Sequence, residues 1–277
     1  MPSVHVNGID LYYEVHGAGE PLLWIGGLGA NVREIPYLID AYRSRYQLIV
    51  YDGRGCGRSG KPEEDYSIAG FAADAAGLLD ALGVPSAFVY GSSMGGMIAQ
   101  ELALNHPDRV RALVLGCTTA GAVKGVRPSE ATVQAMIANQ ALSGDAAIEA
   151  GWRLGYGAGY IETHRDELFA RSRASAEFGT PRDAYMRQVI AAAKHDTYDR
   201  LEYVTCPVLI IHGSEDVMIP PGNAHLLKRG MPHAELRILE GMGHGYNLEA
   251  QAEADAIVFD FLARNATTVG ASVDSAR

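Results

Sequence analysis

The chain has 277 residues, 48% of them hydrophobic and 20% charged, with a formal net charge of −10. That length buries a sizeable core, as one large domain or a domain with an insertion. The negative charge argues against nucleic acid and anionic membranes as partners. No apolar run reaches the roughly 18 residues of a membrane span, and the first residues lack a basic or apolar leader. The cysteines, Cys56, Cys117 and Cys206, are odd in number and scattered, which suits reduced thiols in a cytoplasmic protein. The histidines show no metal-ligand spacing, so neither metal nor cofactor is expected. The partner expected is a small molecule, and a homo-oligomer is compatible with this composition.

Residues 4–7 and 11–15 read as a hairpin around Asn7-Gly8. Residues 22–25 form a short continuous apolar run, as in a strand buried on both faces. A helix over 35–45 and a strand over 47–51 follow, and then Asp52-Gly53-Arg54-Gly55-Cys56-Gly57-Arg58-Ser59. Ser67 is placed to cap a helix over 68–82 that Gly83 ends. A strand to Tyr90, a helix over 98–105 and a strand over 112–115 complete an alternation that predicts a mostly parallel sheet covered by helices on both faces.

The rhythm changes near Thr119. Helical patterns over 131–142, 146–154, 164–176 and 181–195 run to about Tyr203, with a Gly-rich link over 155–160. Strands at 208–212 and 234–239 and helices at 222–229 and 249–263 then restore the alternation. The expected organisation is an α/β core of residues 1–118 and 204–265, a helical cap of residues 119–203, and a frayed tail over 266–277. An insertion after the sixth strand lies over the carboxyl edge of the sheet, where open α/β sheets bind ligands.

Three places carry chemistry. Gly91-Ser92-Ser93-Met94-Gly95 stands between a strand and a helix, the pattern of a turn that lifts a serine hydroxyl to the sheet edge. Ser92 is the neighbouring hydroxyl, but its spacing to the glycines is wrong for that turn. A serine needs a histidine to take its proton, and the histidine needs a carboxylate to fix its tautomer. Asp216 follows the strand at 208–212, with Glu215 beside it as a rival. His244 lies in a Gly-rich loop beyond the strand at 234–239. Asp196 and Asp52 are further carboxylates, Asp52 being better read as orienting its turn with Arg54. His212 ends a buried strand and reads as a core residue, whereas His195 is a candidate to face substrate.

Asp52 to Ser59, Gly91 to Gly95, His212-Gly213-Ser214-Glu215-Asp216 and Gly241-Met242-Gly243-His244 together resemble the α/β-hydrolase fold superfamily. They resemble specifically its ester and lactone hydrolases with a helical cap, of the 3-oxoadipate enol-lactonase and carboxylesterase kind. The resemblance implies an eight-stranded, mostly parallel sheet, with Ser93 as nucleophile, His244 as base and Asp216 as acid. It also implies an oxyanion hole from the Leu28 and Met94 amides, and no cofactor. The substrate class implied is a carboxylic ester or lactone. Carbon–carbon bond hydrolases and cofactor-free haloperoxidases share this machinery, and some relatives only bind ligand.

The sequence departs from the family at one place. A His-Gly pair is usual where this chain has Gly26-Gly27, which leaves the loop fewer side-chain anchors and more room. Gly27 is a candidate substrate contact. Trp152, Tyr156 and Tyr160 are candidates for an aromatic pocket wall or for the core of the cap.

Overall fold

The computed structural model describes residues 2–266. The tail expected to fray therefore lies, but for Ala266, outside the described residues. Eight strands form one sheet: β1 (Ser3–Val6), β2 (Ile9–His16), β3 (Glu20–Ile25), β4 (Tyr46–Tyr51), β5 (Ala87–Ser92), β6 (Val110–Gly116), β7 (Val208–Gly213) and β8 (Glu235–Leu239). Their order is β1-β2-β4-β3-β5-β6-β7-β8. The β2 strand pairs antiparallel with β1 and β4, and the remaining pairs are parallel.

The central strands are apolar on both faces because helices cover both. In β3 and β4, Leu22, Trp24, Leu48 and Val50 face a layer built with α1 (Pro36–Tyr42) and α10 (Gln251–Arg264). Leu23, Ile25, Ile49 and Tyr51 alternate with them toward α2 (Ile68–Ala81), α3 (Met94–Asn105) and α8 (Gly222–Gly230). This is the two-residue period of a pleated strand, read on both sides. Ser67 caps α2 as expected, accepting the Gly70 N–H at 3.0 Å.

From β3 the chain crosses to β4 on one side, and from β4 it returns to β5 on the other. The loops leaving β3 and β5 thus diverge at a topological switch point, where a crevice opens at the carboxyl ends of the strands. The approach of the two loops is very close. An added Cβ on Gly95 would lie 2.0 Å from the Ile25 carbonyl oxygen, and one on Gly91 would lie 2.2 Å from the Gly95 oxygen.

Between β6 and β7 lie four helices, α4 (Glu130–Asn139), α5 (Gly144–Gly155), α6 (Ala158–Ala176) and α7 (Arg182–Ala193). The two ends of this segment meet. Gly121 bridges Asp196, and the Thr197 N–H donates to Ala120 O at 2.7 Å. The α6 helix starts earlier than its apolar pattern predicts, at Ala158 and not at 164, and it kinks at His164. Glu249 explains the early start: its Oε2 accepts the Gly157 N–H at 2.8 Å, placing a carboxylate at the positive end of the helix. Glu249 belongs to α9 (Tyr246–Glu249). Among the described residues no helix is long and apolar enough to cross a membrane.

The contact of Gly95 with Ile25 leaves no room for a side chain. Gly95→Ala is expected to cost at least about 2 kcal/mol of unfolding free energy, measured by urea denaturation. Gly151→Ala, at an exposed position of α5 with open space around it, is expected to be neutral or to stabilise by up to about 1 kcal/mol. Equal unfolding free energies for the two variants would contradict the packing described.

Candidate active site

Ser93 joins β5 to α3 with φ 57° and ψ −122°, a conformation rare outside glycine that costs on the order of 1–3 kcal/mol. Bonds on both sides hold it. The Ser93 N–H donates to Gly116 O at 2.9 Å. Its carbonyl accepts from Thr118 Oγ1 at 2.7 Å and from the Gly96 N–H at 2.9 Å. The turn places the hydroxyl at the carboxyl edge of the sheet, at the amino end of α3.

Asp216 and His244 come from the loops after β7 and β8. The His244 Nδ1–H donates to Asp216 Oδ2 at 2.7 Å. Asp216 is 2% exposed, and its Oδ1 accepts the Met218 and Ile219 N–H groups at 2.9 and 2.8 Å. Burial alone raises a carboxyl pKa. Here the facing His244 and His212 outweigh burial and hold Asp216 well below the carboxylate range.

His212 is fully buried in β7. Its Nε2–H donates to Ile219 O at 2.7 Å and lies 3.2 Å from Asp216 Oδ2. The sequence reading of His212 as a core residue thus missed its contact with Asp216. For His244, burial works against the charged ring. The Cys117 sulfur and the Asp216 carboxylate beside it lift its pKa well above the ordinary histidine value of 6.5. Cys117, which follows β6 at φ 38°, also lies 3.3 Å from Ser92 Oγ. No sequence motif marks Cys117 for this place.

The loop after β3 lies over Ser93, and a Cβ on Gly27 would be 3.2 Å from Ser93 Cβ. Among the described residues neither the Leu28 nor the Met94 N–H donates to a protein acceptor. The expectation that Gly26 leaves this loop short of anchors needs correction. Gln188 of α7 accepts the Gly29 N–H at 2.9 Å and donates through Nε2 to Arg54 O at 2.9 Å. Thr180 Oγ1 donates to Gly29 O at 3.1 Å, and Asp52 Oδ1 accepts the Val32 N–H at 2.7 Å. Gln188 and Thr180 of the helical segment and Asp52 after β4 thus anchor the loop that follows β3. Asp52 itself pairs with Arg58 at 3.0 Å and not with Arg54, whose guanidinium meets Asp74 at 2.8 Å.

Ser93, His244, Gly27, Leu28 and Tyr156 line one cavity of ≈ 260 Å³. Three other candidates lie elsewhere. Trp152 is buried against Phe169, ring centroids 4.6 Å apart, and its Nε1–H donates to Ser172 Oγ at 3.2 Å. Tyr160 stacks on His164 at 4.1 Å. These rings fill a small core of the helical segment, closed by Leu168 and Leu248. His195 is 5% exposed, borders a separate surface hollow beside Glu101, and is brought down to about pKa 4 by burial. The cavity wall includes residues that sequence reasoning missed, namely Glu34, Tyr37, Arg171 and Asn247. They are contributed by different elements, and no motif marks them.

The His244 loop is tied to the α5–α6 link. Glu249 Oε1 accepts the Gly243 N–H at 2.9 Å while its Oε2 holds Gly157, and the Gly245 N–H donates to Gly155 O at 2.8 Å. One carboxylate thus fixes the imidazole loop and the start of α6 together.

Comparison with known proteins agrees with this architecture. A family model described as alpha/beta hydrolase fold matches residues 20–251. A protein of Azorhizobium caulinodans named "Putative carbamate hydrolase RutD" is 31% identical over 248 residues, covering 89% of this chain and 92% of its own. A poly(3-hydroxyalkanoate) depolymerase of Ectopseudomonas oleovorans is 33% identical over 245 residues, covering 87% and 84%. The crystal structure of the enol-lactonase from Burkholderia xenovorans LB400 superposes with a TM-score of 0.83 at 25% identity, covering 95% of this chain and all of that one. The fold that the four motifs imply is the fold observed, and the chain belongs to the α/β-hydrolase fold family, as a hydrolytic enzyme.

Proposed function

We propose that the protein is a serine hydrolase that cleaves a carboxylic ester or lactone through an acyl-enzyme. The observation that carries this reading is the shared cavity. Ser93 and His244 open onto the same space, and Asp216 stands 2.7 Å behind the imidazole.

In the proposed reaction Ser93 Oγ attacks the substrate carbonyl carbon as His244 Nε2 takes the hydroxyl proton. The carbonyl oxygen becomes an oxyanion held by the Leu28 and Met94 N–H groups. The carbonyl re-forms, the bond to the leaving oxygen breaks, and His244 returns the proton to that oxygen. Water then attacks the acyl-enzyme with His244 as base, and the acid and free Ser93 result. Asp216 keeps the Nδ1–H tautomer and stabilises the imidazolium. The helices over the sheet edge act as a cap, with Tyr156 and Gly27 in contact with substrate. The cavity is smaller than the ~300–1,000 Å³ usual for ligand sites, which favours short substrates. The names of the related proteins, a carbamate hydrolase and an enol-lactonase, are consistent with attack on an activated carbonyl.

Two measurements test the reading. Ser93→Ala is expected to lower kcat on short-chain aryl esters by at least about 10³-fold. A panel of esters, lactones, aryl carbamates and ring-fission dienones then identifies the favoured carbonyl. Wild-type turnover no faster than the variant's on every panel member would overturn the proposal.

The pH profile follows from the His244 environment. A general base must be neutral, so activity is lost as pH falls through its pKa. The acid limb of kcat/KM is expected to have its midpoint above 6.5, the ordinary histidine value. In Asp216→Asn the limb is expected to move to lower pH, with kcat down by about 10⁴-fold. An acid limb unmoved by that substitution would contradict the assigned roles.

A further inference from the structure

Arg171 reaches the cavity of Ser93 from α6. Its guanidinium lies 5.0 Å from the centre of the Tyr37 ring, and Nη2 donates to Tyr156 Oη at 3.3 Å. Nε and Nη1 are buried, and among the described residues neither has a hydrogen-bond partner. No carboxylate of the described residues stands within 4.0 Å of these nitrogens. Glu34 shares the cavity wall and acts on Arg171 through space, but it gives the guanidinium no hydrogen bond: its carboxyl takes the Ser175 hydroxyl, and burial pushes its pKa up, toward the neutral acid.

A guanidinium does not lose its proton in a protein. A buried one with open donors and no carboxylate bonded to them is unfavourable, so its surroundings are complete only when an anion or solvent faces it. Tyr37 points the same way. Its hydroxyl accepts from Asn247 Nδ2 at 2.9 Å, which leaves its own proton to give. The cavity of ≈ 260 Å³ contains both ends of this arrangement, so a ligand whose carbonyl sits at Ser93 lies within reach of Arg171.

We propose that the substrate carries a carboxylate, which Arg171 binds with the Tyr37 hydroxyl while the ester or lactone carbonyl rests at Ser93. This rests on the serine-hydrolase reading and narrows it to anionic substrates. The planar guanidinium fork matches a carboxylate in shape and charge.

The test uses a matched pair: the 4-nitrophenyl monoester of glutaric acid, and the same compound with its free carboxylate methylated. Wild type is expected to favour the anion in kcat/KM by at least about tenfold. Arg171→Met is expected to remove that preference, lowering the rate on the anion on the order of 10²-fold, and Arg171→Lys to retain part of it. Absence of a preference in wild type, as when water alone faces the guanidinium, overturns the proposal. So does a preference that survives Arg171→Met. Calorimetric binding of glutarate against glutaramide to Ser93→Ala needs no turnover. It decides the case if Arg171→Met does not fold, and it separates failure of anion binding from failure of the serine reading. Tighter binding of glutarate is expected, and equal binding of the two overturns the proposal.

Discussion

The site depends on one close approach between backbones. The amino end of α3 presses against the carboxyl end of β3 so tightly that Gly95 has no space for a Cβ beside Ile25 O. That contact exists because β3 lies between β4 and β5 and the chain reverses its direction across the sheet there. It sets the loop after β3 against Ser93, a Cβ on Gly27 coming within 3.2 Å of Ser93 Cβ, while Ser93 holds a backbone conformation at φ 57°. Strain of this kind persists only where surrounding bonds over-determine it, and the bonds to Gly116 and Thr118 do so here.

Around this rigid centre, charge is arranged in a row. Asp216 receives two backbone N–H groups on one oxygen and faces two imidazoles with the other. A carboxylate so surrounded stays ionised despite burial, and it lifts the His244 pKa in turn. The same loop geometry ties the site to the helical segment through Glu249, Gln188 and Thr180. The loops that carry the proposed base and one proposed oxyanion donor thus share hydrogen bonds with helices α5 to α7.

The alternating strands were legible because apolar runs buried on both faces leave a plain signal. The site loops were legible because each carries glycines at fixed offsets from a chemical residue: Gly91 and Gly95 about Ser93, Gly243 before His244, Gly213 before Asp216. The cavity wall was not legible. Tyr37, Arg171 and Asn247 meet only after packing, each coming from a different helix and none lying inside a motif. Of the two readings the aromatics allowed, core of the helical segment holds for Trp152 and Tyr160 and the cavity wall for Tyr156. A four-helix segment poor in large apolar residues must spend Trp152 and Tyr160 on its own small core, so those rings could not also line the pocket. The ion pairs around Asp52 were mispaired because Arg54 is the nearer arginine in sequence, and only the fold turns Arg58 back to Asp52 and puts Asp74 beside Arg54.

A serine mechanism requires the Ser93 oxygen to become covalently acylated during turnover. Intact-protein mass spectrometry of the enzyme quenched in acid during hydrolysis of a slowly deacylated 4-nitrophenyl ester reads this directly. The expected result is a mass increase equal to one acyl group, mapped by peptide fragmentation to Ser93 and absent from Ser93→Ala. An adduct on Ser92 or Cys117, or turnover with no adduct in either protein under conditions where deacylation limits the rate, would contradict it.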